Sequence, residues 1–121
     1  MASRVVSLPI DSTDPELLAG FWTGVLGWAI TKRGGYGVTI APSGGGPFEI
    51  DFRYVPDGPK RSKNRLHLDL NPTDRDQDAE LTRLLALGAR SVDIGQGRVS
   101  WHVLADPEGN EFCLCRDRVD P

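Results

Sequence analysis

The sequence lacks the features that mark membrane, secreted and nucleic-acid-binding proteins. No apolar run approaches the roughly 20 residues of a membrane span, and the first residues lack the apolar core of a signal peptide. The net charge is only −3, and no basic patch dominates the chain. We therefore expect no membrane partner and no nucleic-acid partner.

Cysteine is also scarce. The two cysteines, Cys113 and Cys115, are separated by one residue, and such neighbours on one strand do not easily adopt disulfide geometry. Reduced thiols and a cytoplasmic location are the simpler interpretation.

The remaining composition is that of a globular protein. Hydrophobic residues make up 39% of the chain and charged residues 26%, and a length of 121 residues predicts one domain, residues 1–121. The one basic cluster, residues 59–65, lies beside proline and glycine, which favours a solvated connection over a phosphate site.

An internal repeat is the most informative feature that is present. Residues 7–14 resemble residues 67–74, and each copy continues into an amphipathic stretch that ends at a Leu-Gly pair, at Gly27 and at Gly88. Near the end of each copy, Phe48-Glu49-Ile50 corresponds to Phe112-Cys113-Leu114. A long period that occurs only twice indicates a duplicated supersecondary unit, because open solenoids generally need three or more repeats.

Each copy predicts the element order β-α-β-β-β. In the first copy Asp14 and Pro15 suit a helix start and Gly27 a helix end; in the second, Asp74 suits the N-cap and Gly88 the end. Apolar spacing predicts strands at residues 5–10, 28–32, 36–40 and 48–54, and again at 65–70, 91–94, 99–105 and 111–115.

Three segments give the chain a family likeness: residues 14–27 with Asp-Pro, Phe-Trp and Leu-Gly, the strand at 64–70, and the Asp-Pro-Glu-Gly-Asn-Glu-Phe turn at 106–112. Together they closely resemble the vicinal oxygen chelate superfamily, and within it the compact glyoxalase-like and bleomycin resistance protein-like domains. The resemblance implies an α+β fold in which two βαβββ modules, about residues 4–56 and 64–118, form a cupped eight-stranded mixed sheet. The helices would cover its outer face, and a homodimer often completes such a domain.

The resemblance also implies where a metal would bind. In that superfamily the ligands come from the first and last strands of each module, and these positions fall on Ser7, His67, Glu49 and Cys113. Serine is a poor ligand, and cysteine stands where the second module usually has glutamate. We therefore expect no cofactor. The alternative is one divalent metal, zinc, nickel or manganese, held by Glu49, His67 and Cys113, since a catalytic zinc takes three protein ligands.

Each of these residues also has a structural interpretation. His67 lies in an apolar alternating strand and can be a hydrogen-bonded pocket residue. Glu49 can be a partly solvated charge at a strand edge, and Cys113 can behave as a small hydrophobic residue. If His67 faces the cavity, the two-residue period of a strand places Arg65 and Asp69 beside it. His67 is then the candidate general base, and Asp69 orients it or pairs with Arg65.

The family pattern directs further side chains into the cup. Trp101 and Val103 are expected to point inward, with His102 toward the helices, and Tyr36 and Val38 are their counterparts in the first module. Aromatic side chains in an aliphatic cup suit a flat or apolar ligand. The expected ligand-binding residues are Ser7, Tyr36, Val38, Arg65, Trp101 and Val103.

Two functions remain open, because this fold alone does not select among the activities that it supports. The first is a metal-independent protein that binds an apolar or aromatic small molecule. The alternative is a lyase or isomerase of glyoxalase type, which uses either a metal on His67, Glu49 and Cys113 or acid-base catalysis by His67 and Asp69.

Overall fold

The computed structural model describes residues 2–56 and 62–121, so residues 59–61 of the basic cluster lie outside the described part. The chain divides into two compact units, Met1–Pro59 and Lys60–Pro121. Each unit carries five elements in the same order. In unit one these are β1 (Ser7–Ser12), α1 (Pro15–Leu26), β2 (Ala29–Gly34), β3 (Gly37–Ala41) and β4 (Glu49–Tyr54). In unit two these are β5 (Asp69–Leu70), α2 (Gln77–Leu87), β6 (Arg90–Ser91), β7 (His102–Ala105) and β8 (Glu111–Leu114).

Both units build a four-stranded mixed sheet of one topology. The strand order is β1-β4-β3-β2 in unit one and β5-β8-β7-β6 in unit two. The first strand of each unit pairs in parallel with the last, and the other pairs are antiparallel. The α+β class and the duplicated βαβββ module are thus confirmed, whereas the joining of both sheets into one eight-stranded cup stays a prediction.

Helix α1 forms where its local signals predict it. The Asp14 carboxylate accepts a hydrogen bond from the Leu17 amide at 3.2 Å, Pro15 occupies the first turn, and Gly27 closes the helix with a φ of 68°. The helix packs on β3 and β4. The side chains buried on the helix are Leu18, Ala19, Phe21, Trp22 and Val25.

The strands of unit one separate an apolar face from a polar one. Val38 pairs with Phe52 in the ladder and both are buried, as are Ile40 and Ile50 two positions along each strand. Because side chains alternate along a strand, Thr39 and its partner Asp51 lie on the opposite face. Val38 is therefore a core residue on the face opposite to Asp51, which differs from the inward orientation expected of it.

Unit two has shorter strands than the alternation predicts. The strand expected at 65–70 is reduced to Asp69–Leu70, and the one expected at 99–105 begins at His102. Packing differs along this segment: Leu66 is 80% exposed, so a strand would gain no apolar burial at that position. Arg65 consequently lies in a bend before the strand and not on it.

The N-cap of α2 is Asp76, so the assignment to Asp74 was wrong. The Asp76 Oδ1 atom accepts from the Ala79 amide at 2.9 Å. The Asp74 carboxylate instead binds the guanidinium of Arg75, at 3.0 and 3.1 Å. Among the described residues, neither α1 nor α2 combines the length and hydropathy that a membrane crossing requires.

Candidate functional site

Unit two contains a cavity of about 330 Å³. Its polar end is formed by Lys63, His67 and Asp69, and an apolar side by Ile94, Trp101 and Val103. The thiols of Cys113 and Cys115 line it as well, together with Gln96 and Glu111. A volume of this size falls at the lower end of the roughly 300–1,000 Å³ typical of small-molecule pockets.

Strand register explains why these side chains meet. Cys113 on β8 lies opposite Asp69 on β5 and opposite Val103 on β7. Side chains two positions apart along an extended chain point to the same face. His67 therefore lies beside Asp69, Trp101 beside Val103, and Cys115 beside Cys113. Three adjacent chain segments thus each contribute a pair of side chains to one cavity.

His67, Asp69 and Cys113 form a compact polar cluster. The His67 Nε2 and Asp69 Oδ1 atoms are 3.4 Å apart, and one ligand atom from each of the three residues lies within 4.8 Å of the other two. Cys113 is buried, whereas His67 and Asp69 are exposed. The cluster therefore has a buried sulfur at its base and an open rim.

The surroundings of both thiols raise their pKa values. Burial raises the pKa of Cys113, and the negative charge of Asp69 raises it further. Burial and Asp69 also raise the pKa of Cys115. Since the thiolate is the nucleophilic form, neither cysteine is an activated nucleophile in this environment.

A side-chain amide holds the wall that carries Trp101. The Gln77 Nε2 atom on α2 donates to the Ser100 carbonyl at 2.9 Å and to the Leu114 carbonyl at 3.2 Å. Gln77 therefore ties the chain next to Trp101 to the end of β8. Nothing in the spacing of Gln77 along the sequence indicates this contact.

The structure distributes the other predicted site residues differently. Arg65 is exposed and does not line the cavity; Lys63 takes the basic position there. In unit one, the Glu49 carboxylate lies 3.7 Å from Lys32 Nζ, and Glu49 lines a second cavity of about 240 Å³ with Arg4 and Phe48. The convergence of Glu49 with His67 and Cys113 stays a prediction.

Unit one has a polar cluster of its own around Asp51, which sequence reasoning missed. The Ser7 hydroxyl donates to Asp51 Oδ2 and the Thr39 hydroxyl to Oδ1, both at 2.6 Å. The Tyr36 hydroxyl lies 2.5 Å from the Thr39 hydroxyl. Burial by itself raises the pKa of Asp51, but the bonds from Ser7 and Thr39 and the charges of Arg53 and Lys32 outweigh it and hold the pKa below its usual value. The available signal was the alternation of charged residues, Glu49, Asp51 and Arg53, with apolar and aromatic residues along β4.

Solved structures with this fold come from several bacteria. FosX of Listeria monocytogenes, a fosfomycin resistance protein solved as a mutant with Mn(II) and 1S,2S-dihydroxypropylphosphonic acid, aligns with a TM-score of 0.72 at 15% identity, over 95% of this chain and 90% of its own. A glyoxalase/bleomycin resistance protein/dioxygenase family enzyme from Burkholderia phytofirmans PsJN aligns at 0.69 and 17% identity, over 93% and 97%. TnmS3, an antibiotic binding protein from Streptomyces sp. CB03234, aligns at 0.63 and 22% identity, over 97% and 96%.

At these identities the likeness to the solved structures shows the fold alone. A search of curated proteins found no match. The family model of the glyoxalase-like domain matches residues 7–115, nearly the whole sequence. The chain therefore belongs to the glyoxalase-like domain family.

Proposed function

We propose that this protein binds an apolar or aromatic small molecule in the cavity of unit two. The observation that carries the proposal is Trp101, a large aromatic side chain that is 41% exposed and lines the cavity next to Val103 and Ile94. An exposed indole in a concave apolar wall supplies a stacking surface whose burial by a ligand is favourable. TnmS3, which has the same fold, is described as an antibiotic binding protein.

The polar end of the cavity gives the ligand its orientation. His67 and Asp69 offer a hydrogen-bond donor and an acceptor opposite the apolar wall, and Lys63 adds a positive charge. Such a small set of polar groups in an apolar pocket is what fixes the orientation of a bound small molecule. The ligand that fits this cavity is a flat apolar body with one polar edge.

Further contacts belong to the same proposal. Ser7, Tyr36 and Arg65 would contribute if a second copy of the chain completes the pocket, and a homodimer is the assembly that the family resemblance implies. We place the protein in the cytoplasm, since its two thiols line the cavity and are unpaired with each other.

Tryptophan fluorescence tests ligand binding. An anilinonaphthalene sulfonate dye and a panel of flat polycyclic aromatic compounds should change the emission of the protein in a saturable manner, and Trp101→Phe should abolish most of that change. Trp28→Phe is the matched control, because Trp28 packs edge-to-face on Phe48 and does not line the cavity. Saturable binding that survives Trp101→Phe unaltered, or no binding across the panel, would contradict the proposal.

A second candidate function is a lyase or isomerase of glyoxalase type, favoured by the convergence of His67, Asp69 and Cys113. The donor set fits a divalent metal, because imidazole, carboxylate and thiolate are all zinc ligands. A bound metal would supply a Lewis acid that polarises a substrate oxygen. His67 and Asp69 would hold it from the exposed rim and Cys113 from the buried base.

The same residues also allow acid-base chemistry without a metal. His67 is the candidate proton donor and acceptor, and Asp69, 3.4 Å from its Nε2 atom, orients the ring. Conversion of a hemithioacetal, formed from a 2-oxoaldehyde and a thiol, into the α-hydroxy thioester by the purified protein, lost in His67→Ala, is the expected result for either enzymatic version. Activity that persists in His67→Ala would exclude both.

A further inference from the structure

We propose that unit two by itself holds one divalent cation of the zinc class, with His67, Asp69 and Cys113 as its three protein ligands. The site shares the cavity of the proposed function but does not depend on the organic ligand. It differs from the site that the family resemblance implies, because Asp69 replaces Glu49 and no ligand comes from the first module.

The spacing of the three ligand atoms is close to what a metal requires. A tetrahedral zinc with metal–ligand distances of about 2.0–2.3 Å holds its ligand atoms roughly 3.3–3.8 Å apart. The His67 Nε2 to Asp69 Oδ1 distance is already 3.4 Å, and all three ligand atoms lie within 4.8 Å of one another. Small side-chain rotations of the two exposed residues therefore complete the set without a change in the backbone.

The backbone register holds the ligands at this spacing. Asp69 and Cys113 are directly paired partners on β5 and β8, and the Cys113 amide donates to the Leu68 carbonyl at 2.9 Å. His67 precedes Asp69 by two residues and so emerges on the same face. Three ligands from two hydrogen-bonded chain segments of a single unit make a site that needs no contribution from elsewhere.

The charge balance also favours a dication. A bound dication would displace the proton of the Cys113 thiol, and the thiolate and the Asp69 carboxylate would then neutralise its 2+ charge at the partly buried end of the cavity. The exposed side chains of His67 and Asp69, at 42% and 63%, leave an entry path and an open fourth position. The site therefore combines a neutralising ligand set with access for the ion.

Glu49 has an ion-pair partner within unit one, and the residue types of the proposed ligands indicate which class of metal they bind. The Glu49 carboxylate lies 3.7 Å from Lys32 Nζ within its own unit. A thiolate and an imidazole favour zinc or cobalt, whereas manganese and magnesium prefer sites made of oxygen ligands. The cation proposed here therefore belongs to a different class from the Mn(II) bound in the FosX structure.

Cobalt(II) is the probe for this site, because a Co(II)–thiolate bond gives a near-ultraviolet charge-transfer band and a tetrahedral site gives strong visible absorption. The full chain, stripped of metal, should develop both bands on titration with Co(II), and Zn(II) should displace the cobalt while Mn(II) should not. Cys113→Ser should remove the charge-transfer band. Asp69→Asn should weaken Co(II) binding by at least about tenfold, since loss of even an outer partner of a metal ligand costs about 10- to 100-fold.

Two conservative variants serve as matched controls. Glu49→Gln makes the same carboxylate-to-amide change in unit one, and Cys115→Ser makes the same thiol-to-hydroxyl change two residues from Cys113; both should bind Co(II) as the unmodified chain does. Circular dichroism establishes that every variant is folded. Any of four results would overturn the inference. These are loss of Co(II) binding in Glu49→Gln without loss in Asp69→Asn, loss of binding in Cys115→Ser, displacement of cobalt by Mn(II), and absence of the thiolate charge-transfer band. Dye binding that persists in the same samples separates that failure from failure of the proposed function.

Discussion

The Ser7 hydroxyl donates a hydrogen bond of 2.6 Å to Asp51 Oδ2 and so links β1 to β4 by side chains, in addition to their parallel backbone ladder. Asp51 receives a second bond of the same length from Thr39 on β3. One carboxylate thus joins three strands of unit one on the face opposite to the apolar core. A satisfied network of this kind stabilises one arrangement of strands, whereas loss of one member leaves buried groups unpaired.

We expect Asp51→Asn to lower the free energy of unfolding by about 1.5–3 kcal/mol at neutral pH, the range for hydrogen bonds to a charged group. Because the pKa of Asp51 is lowered in the folded state, its stabilisation is present above the unfolded-state value of 3.8 and is lost as the pH falls through the folded-state value. Urea denaturation over a range of pH should therefore show the gap between Asp51→Asn and the unmodified chain closing in acid. Asp11→Asn, an exposed change on β1, is the control. A gap that widens in acid would contradict the prediction.

The two aspartates before α2 should differ in their effect on stability. Asp76→Ala removes the bond to the Ala79 amide and should cost about 1 kcal/mol, as for other N-caps. Asp74→Ala removes only an exposed pair with Arg75 and should cost less than about 1 kcal/mol. Thermal unfolding of both variants, followed by circular dichroism, measures the difference. A larger loss in Asp74→Ala would show that the cap assignment is wrong.

How well the sequence predicts the fold depends on how local each signal is. The bounds of α1 follow from Asp14, Pro15 and Gly27, since each acts on its own backbone turn. The choice of Asp76 over Asp74 as the N-cap of α2 does not follow from the sequence, because both residues precede the helix. In the structure Asp74 pairs with Arg75 instead. The predicted length of the strand at 65–70 was wrong for a related reason. Alternation indicates which face of a strand is apolar, but not whether another element packs on that face.

The lining of the cavity in unit two shows which signals reached the candidate site. Trp101, Val103, His67 and Cys113 came from the family resemblance, and the two-residue period of a strand added Asp69; all five line the cavity. The direct pairing of Asp69 with Cys113 depends on ladder register, which spacing along one strand cannot supply. The hydrogen bonds from Gln77 on α2 to the Ser100 and Leu114 carbonyls, which support the site, correspond to no periodic pattern in the sequence.

Gln77 offers a test of how the aromatic wall is held. Gln77→Ala removes the bonds to the Ser100 and Leu114 carbonyls, at a cost of about 0.5–1.5 kcal/mol for each bond lost. Hydrogen exchange should speed up in the segment that carries Trp101, and the affinity for an aromatic ligand should fall. Thr82→Ala on the same helix is the control, since its hydroxyl donates to the Asp78 carbonyl within α2. Unchanged exchange in residues 95–101 would show that Gln77 does not hold the wall.

Two glycines should respond in opposite ways to the same substitution. Gly37 begins β3 with a φ of 139°, and a Cβ atom there would collide with the backbone carbonyl of Phe52 on β4. Since that carbonyl belongs to the ladder and cannot rotate away, Gly37→Ala should destabilise the protein by more than about 1 kcal/mol. Gly20, within α1, has no positive φ, and a Cβ atom at that position would meet no atom within 4 Å outside the backbone of its own helix.

The matched substitution Gly20→Ala should therefore raise the free energy of unfolding by up to about 1 kcal/mol, the difference in helix propensity between the two residues. Urea denaturation of both variants measures the contrast. Gly37→Ala should in addition displace the adjacent Tyr36, whose hydroxyl contacts Thr39, and so weaken the polar cluster around Asp51. If both variants shifted stability in the same direction, the close approach of β3 to β4 at Gly37 would not be what requires glycine there.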